Sequence, residues 1–264
     1  MIVSLYVDDM IYTGSSLHLM CEFKESMKTE FDLTDLGGLK YFLGLEMNQT
    51  EDGIFMSQRK YVKDTLERFN MFNCKFANTP MNTGEKLRPH DETERADASL
   101  YRSLIGRLIY VTHSRPDVSF AIGVLSRFMH NPSRHHFGTA KRVLRYLEGT
   151  INFGIWYREV EYFSFRGYSD SDWGGLAIDG RSTTGNCFIL GSAAISWSSK
   201  KQATVALSTT EAEYVAATAT ACQAVWLRRI LGDIGMKQND ATAVFCDDRS
   251  AITLGRNPVF HSRT

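Results

Sequence analysis

The stretch Phe163-Ser164-Phe165-Arg166-Gly167-Tyr168-Ser169-Asp170-Ser171-Asp172-Trp173-Gly174-Gly175 decides how the C-terminal part of the chain reads. Phe163 to Ser169 predicts a strand, and the acids and glycines from Asp170 to Gly175 end it. Working outward, Asn186 to Leu190 and Ala194 to Ser198 read as strands around Gly191-Ser192, with Thr204 to Leu207 as a further segment paired near them. A long helix is expected from about Thr209 to Leu231. Ala243 to Cys246 then reads as a strand ending in Asp247-Asp248, with a short helix after it. Strands, helix, strand, helix is an α/β succession.

Upstream, the order is different. Ile2 to Val7 and Met10 to Thr13 are apolar strands flanking Asp8-Asp9, and His18 to Phe31 has the periodicity of an amphipathic helix. Leu39 to Met47 and Gly53 to Ser57 read as a hairpin around Asp52-Gly53, and Tyr61 to Phe69 as a short helix with Val62, Leu66 and Phe69 on one face. Residues 79–97, with Pro80, Pro89, Gly84 and many charges, read as a linker. Leu100, Leu104, Leu108 and Val111 step at helical spacing up to Arg115-Pro116, and Phe120 to Met129 and Phe137 to Leu147 are two more helices split by Asn131-Pro132-Ser133. The division is therefore 1–78, a linker at 79–97, a helical region at 98–157, and a final domain at 162–264.

Composition narrows the function. The 264 residues carry 30 Lys+Arg against 30 Asp+Glu, so no global basic field marks nucleic-acid binding and any such site is a local patch. Hydrophobic content of 43% with 23% charged is that of a globular chain. No apolar run is long enough to cross a bilayer, and the N-terminus lacks the basic segment of a signal peptide. Five scattered cysteines without C-x-x-C exclude a disulfide framework or zinc knuckle and fit a reducing compartment. The expected location is the cytoplasm, and not secretion.

Two features carry chemistry before any family is considered. Asp8-Asp9 falls at a hairpin turn, where adjacent acids are either solvated turn formers or a rigid pair of metal ligands. From Val118 to Leu147 there are basic residues, Arg127, Arg134, Lys141, Arg142 and Arg145, and no acid. Lys141 and Arg145 share a helical face, which reads either as a solvated surface or as a phosphate-tracking patch.

Tyr6-Val7-Asp8-Asp9 resembles motif C of reverse transcriptases, the palm hairpin with two metal-binding aspartates. Phe31-Asp32-Leu33-Thr34-Asp35-Leu36-Gly37 and Tyr41-Phe42-Leu43-Gly44-Leu45-Glu46 resemble the segments that follow it in copia-type LTR retrotransposon Pol polyproteins, and Ser57-Gln58-Arg59-Lys60-Tyr61 resembles their thumb entry. Tyr101 to Tyr110, Arg115-Pro116-Asp117 and Lys141 to Leu147 are similar to the connection region of that family. Tyr168 to Trp173, Ser208 to Tyr214 and Cys246 to Ile252 look like the three signatures of its ribonuclease H domain.

The resemblance implies a mixed α/β and α+β chain: a partial palm and thumb, a helical connection, and a ribonuclease H-like mixed sheet. It implies that Asp170, Glu213 and Asp247 are catalytic and bind magnesium, and that Asp8 and Asp9 are metal ligands of the polymerase motif. Two Mg²⁺ ions would cut the RNA strand of an RNA–DNA hybrid, one activating water and the other stabilising the leaving oxygen. Arg134, Lys141, Arg142 and Arg145 are the expected nucleic-acid contacts, and the rest of a Pol polyprotein is the expected protein partner.

Neighbouring acids compete for these roles. Asp170 and Asp172 share a strand face; the family pattern selects Asp170 and leaves Asp172 an outer position. Ser208-x-x-Glu211 and Thr210-x-x-Glu213 both fit a capping box, so spacing leaves both open, and the resemblance favours Glu213. Asp248 stands where the family has a neutral amide, so Asp247 is the expected ligand. His135-His136 are adjacent rather than at i, i+4, which excludes a helical zinc-protease motif. Trp173, Trp197 and Trp226 read as core or strand-packing residues, and Lys200-Lys201 as a turn or a phosphate contact.

Against the family pattern, an aspartate and fingers upstream of motif C are missing, and Asn257 to Thr264 resembles only the lead-in to the closing part of the ribonuclease H domain, before a fourth carboxylate. The expectation is thus a Pol piece lacking one catalytic acid at each site. The alternative is a catalytically inactive nucleic-acid-binding remnant of a decayed element. A transposase or integrase is disfavoured because those enzymes run Asp, Asp, Glu, whereas Glu213 here lies between aspartates.

Overall fold

The computed structural model describes residues 1–175 and 179–257. The expected closing lead-in, from Pro258 on, lies outside the described residues. Strands β1 (Ile2–Tyr6) and β2 (Asp9–Thr13) form a two-stranded hairpin in which Tyr6 faces Asp9. Its turn is Val7-Asp8, and Val7 sits at φ 54, a left-handed conformation costly for a β-branched residue. Asp9 is therefore the first residue of β2 rather than part of the turn. Helix α1 (Leu17–Glu30), capped by Ser16, lies beside the hairpin with the rings of Tyr12 and Phe23 5.5 Å apart.

A second sheet runs β3 (Tyr41–Phe42), β4 (Leu45–Thr50), β5 (Gly53–Ser57) and β6 (Gly154–Tyr157), all antiparallel neighbours. The run Leu39 to Met47, expected as one strand, is broken by Leu43 and Gly44, both at positive φ, and folds into β3 and β4. The Tyr110 hydroxyl donates to the Leu43 carbonyl and ties this turn to the helices. β6 lies at the far end of the region expected to be mostly helical and pairs with β5 across the intervening chain.

The helices between them are α2 (Arg59–Arg68), α3 (Ala98–Val111), α4 (Ser119–Ser126) and α5 (Arg134–Gly149), with a 3₁₀ turn at Pro116–Val118. Leu66, Leu104, Ile105, Leu108, Leu125 and Leu144 are fully buried among one another and form the main core. Asp97 caps α3 and Ser133 caps α5, each satisfying N–H groups that a helix start leaves unpaired. Residues 79–97 do not run free as a linker. Leu87 is fully buried, the Ser133 hydroxyl donates to Asp91, and His136 Nε2 meets the Arg88 carbonyl, so the segment is strapped over the start of α5. One leucine and a set of polar side chains do this, a pattern with no hydrophobic period.

The third sheet has the order β10 (Ala243–Phe245), β7 (Phe165–Asp172), β8 (Thr183–Leu190) and β9 (Ala193–Lys201). β10 is parallel to β7, and the other pairs are antiparallel. β7 continues through Asp172, so Asp170 lies inside the strand opposite Gly185 instead of ending it. Thr204 to Leu207 is not a strand; it is the loop that delivers Ser208, the cap of α6 (Thr209–Asp233). α6 packs Ala224, Leu227 and Leu231 against Phe165 and Phe188 on one face of the sheet. α4 lies against the other face, where the Trp197 indole donates to the Thr112 carbonyl and Arg127 to the Thr183 hydroxyl. α7 (Arg249–Arg256) follows β10. No helix among the described residues is long and apolar enough to cross a membrane.

Candidate metal centre

The residues of the third sheet converge where β7, β10 and α6 meet. β10 runs parallel to β7 with Phe245 facing Tyr168, and Asp247 follows two residues after the end of β10, close enough to act with Asp170 on Glu213. The third acid comes from the first turns of α6. Glu213 is 7% exposed, and its Oε1 accepts from the Ser171 backbone N–H at 2.9 Å and hydroxyl at 2.7 Å. The same Ser171 N–H reaches Asp170 Oδ1 at 2.8 Å, which holds the Asp170 and Glu213 oxygens no more than about 6 Å apart. Ligand atoms of Glu213, Asp247 and Cys246 all lie within 4.8 Å of one another. The structure thus brings Asp170, Glu213 and Asp247 together, and adds Cys246.

The local folding decides between neighbouring acids. Ser208 Oγ accepts from the Glu211 N–H, and Glu211 reaches back to the Leu207 N–H, so Glu211 serves the helix start and Glu213 faces the sheet. Asp248 caps α7 by accepting from the Ala251 N–H at 2.7 Å, which leaves Asp247 for the centre. Asp172 lies two residues along β7 from Asp170, beside Arg127 rather than Glu213. The loop after β7 folds onto it so tightly that a Cβ on Gly175 would sit 1.7 Å from Asp172 Oδ2.

Negative charge is concentrated here. Burial pushes the Glu213 carboxyl above its ordinary value, and the charges of Asp170 and Asp247 push the same way against the Ser171 hydrogen bonds. Burial also raises the Asp172 carboxyl, with Arg127 opposing. Among the described residues, no ion pair includes Asp170, Glu213 or Asp247. A groove of about 580 Å³ opens beside Asp170 and Asp172, walled by Phe120, Tyr168, Cys187 and Trp197.

The other expected site residues are not gathered there. Asp8 and Asp9 stand on the exposed hairpin and belong to no cluster of metal-ligating side chains among the described residues. The basic residues of α5 have intramolecular tasks. Arg134 pairs with Glu94 at 2.8 Å, Arg142 donates to the Thr79 hydroxyl, and Arg145 donates to the Lys75 and Phe76 carbonyls. Lys141 lies over the Phe137 ring at 5.2 Å. Lys200 and Lys201 are strand residues of β9, with Lys201 paired to Asp179. His136 is buried, its Nδ1 accepting from the Ser133 N–H. Trp173 and Trp226 are 48% and 53% exposed, not core residues, and the Trp173 indole donates to the Ala206 carbonyl. Sequence reasoning passed over Ser171 and Cys246; their adjacency to Asp170 and Asp247 was the available signal.

Comparison with known proteins agrees with the hairpin and extends along the chain. Residues 1–83 match the family model described as reverse transcriptase (RNA-dependent DNA polymerase). The chain is 40% identical over 98% of its length to the retrovirus-related Pol polyprotein from transposon RE1 of Arabidopsis thaliana, and 39% identical over 100% to that from transposon TNT 1-94 of Nicotiana tabacum. It spans 18% and 20% of those two proteins. It is also 40% identical, over 86% of its length, to an uncharacterized mitochondrial protein of Arabidopsis thaliana, of which it covers 94%. No solved structure matches it significantly. A motif-C-like hairpin inside a reverse transcriptase match, followed by similarity to transposon Pol proteins along nearly the whole chain, places this chain in the copia-type Pol polyprotein family of LTR retrotransposons.

Proposed function

We propose that the domain built on β7–β10 and α6 is a ribonuclease H-type unit that hydrolyses the RNA strand of an RNA–DNA hybrid, with Mg²⁺ as its metal. On this reading, the first 78 residues are palm and thumb-entry elements of a reverse transcriptase and α3–α5 its connection. The observation that carries it is the gathering of Asp170 from β7, Glu213 from α6 and Asp247 from the turn after β10, in a mixed sheet whose β10 runs parallel to β7.

The donor set suits a hard divalent cation. Three carboxylates are gathered, one is nine-tenths buried, and no Lys or Arg pairs with them among the described residues. Such an ion, held by Asp170, Glu213 and Asp247, would supply Lewis-acid activation of water and stabilisation of the leaving oxygen. The chain's own part is positioning. Ser171 fixes Glu213 Oε1 through two donors, and β10, parallel to β7, ends two residues before Asp247. The groove beside Asp170 and Asp172 offers room for the substrate strand, with Phe120 and Tyr168 on its walls.

The test is an end-labelled RNA–DNA hybrid incubated with the purified chain over a Mg²⁺ titration. Metal-dependent RNA cleavage that drops at least about 100-fold in Glu213→Gln supports the reading. Binding of the hybrid without cleavage at any Mg²⁺ concentration overturns it in favour of an inactive binding remnant.

A further inference from the structure

We propose that Glu213, Cys246 and Asp247 also form a mixed sulfur–oxygen site for a thiophilic divalent cation, zinc or cadmium, which excludes the harder ion by taking two of its ligands. The inference uses residues of the ribonuclease reading but does not depend on its chemistry. Cys246 Sγ lies 3.8 Å from Glu213 Oε2. Two ligands of a tetrahedral zinc, with sulfur and carboxylate oxygen at their usual bond lengths, are separated by about 3.6 Å. The thiol and the carboxylate thus already stand at nearly the edge length of such a tetrahedron, and Asp247 completes a triangle within 4.8 Å.

The disposition of Glu213 is an independent pointer. Both strong donors near it, the Ser171 N–H and hydroxyl, go to Oε1. Oε2 of this nine-tenths-buried side chain is left facing a weakly donating thiol. A thiol is a weak donor, so a cation joining it to this buried carboxylate and to Asp247 would serve that oxygen better than the thiol alone. Mg²⁺ takes oxygen donors and does not recruit the sulfur, whereas zinc and cadmium favour it. The cation binds Cys246 as the thiolate, and the thiol proton passes to solvent. Because Glu213 and Asp247 serve both arrangements, a thiophilic ion and the hard ion cannot be held together.

The test is titration of the full chain with Cd²⁺ alone, read by the ultraviolet thiolate-to-cadmium charge-transfer band. One equivalent should develop the band in the unsubstituted chain and in Cys187→Ser. The band should be absent in Cys246→Ser, shown folded by its circular dichroism, and Glu213→Gln should weaken binding at least about tenfold. Excess Mg²⁺ should move the titration to higher Cd²⁺. A band that survives in Cys246→Ser, no band at one equivalent, or an unchanged affinity in Glu213→Gln overturns the proposal. A chain that shows the band but never cuts hybrid overturns only the ribonuclease reading, and Mg²⁺-dependent cleavage without the band overturns only this one.

Discussion

Arg115 is the residue whose replacement should most disturb the helical part of the molecule. Its side chain is 2% exposed, yet it carries a full charge that four contacts satisfy. Nε and Nη2 fork onto the Asp117 carboxylate at 2.9 and 2.7 Å, and Nη1 and Nη2 donate to the Thr150 carbonyl and hydroxyl at 2.9 and 2.7 Å. Tyr146 closes the network by donating to Asp117 Oδ2. Asp117, by contrast, keeps 33% of its side-chain surface in solvent. The two halves of the pair should therefore fail unequally. Arg115→Met leaves an acid that water can hydrate, and should cost about 2–3 kcal/mol, below the usual range for a broken buried pair. Asp117→Asn leaves a buried guanidinium without its counter-charge and should cost about 3–5 kcal/mol. The double variant should be no worse than Asp117→Asn alone, since the two changes remove one interaction. Urea titration followed by circular dichroism measures all three. Equal costs, or Arg115→Met costing more than Asp117→Asn, would refute the reasoning from exposure.

Acid should unfold the strap over α5 in two steps. Burial holds His136 below its ordinary value of 6.5, so the unfolded chain takes up a proton that the folded one refuses. Stability is full above about pH 6.5 and should fall as the pH drops through the folded value. Asp91, held down to about 2 by hydrogen bonds from Ser133 and Thr93, adds a second loss between its unfolded value of 3.8 and pH 2. A urea midpoint flat from pH 7 to 5 would contradict the first step. Arg145→Ala should lower stability by about 1 kcal/mol through the lost Lys75 and Phe76 contacts, and should leave the salt slope of hybrid binding unchanged; a slope flattened by about one unit would restore Arg145 as a phosphate contact. Primer extension by the chain should be undetectable on any template, because Asp8 and Asp9 are joined by no third ligand among the described residues; labelled-primer assays decide it.

What could be read from the sequence was whatever local chemistry determines. The Ser208 cap, the hairpin at Asp52-Gly53 and the acid at the end of β10 are each signalled within a few residues of themselves. The pairing of β5 with β6 has no such signal, because Phe55 and Trp156, which meet across it, are separated in the chain by all of α2 to α5. The strap at 79–97 was hidden for a related reason. Its anchors are Leu87, Glu85 and Asp91, whose partners His135 and Ser133 lie on a different element. The basic run on α5 stays ambiguous in sequence, because a cation that donates to backbone carbonyls, as Arg145 does, looks there like a cation that faces phosphates.

The choice between Glu211 and Glu213 shows where spacing stops and packing takes over. Both fit a capping pattern, and only the docking of α6 on β7 sends one to the helix start and the other into the sheet. The placement of Glu213 works against stability, unlike the apolar contacts of the same helix. Glu213 is buried beside Asp170 and Asp247, and all three disfavour its charged form in the absence of a cation. Glu213→Gln keeps an oxygen to accept from Ser171 and removes the charge. In metal-free buffer the variant should therefore be more stable than the parent by about 1 kcal/mol, as at other sites where function is held against stability. On the ribonuclease reading, added Mg²⁺ should raise the melting temperature of the parent and leave the variant unmoved, because an ion bound only in the folded form adds to its stability. Differential scanning calorimetry with and without the metal measures both effects. A metal-free variant less stable than the parent would show that Glu213 is held in place for packing rather than for a cation.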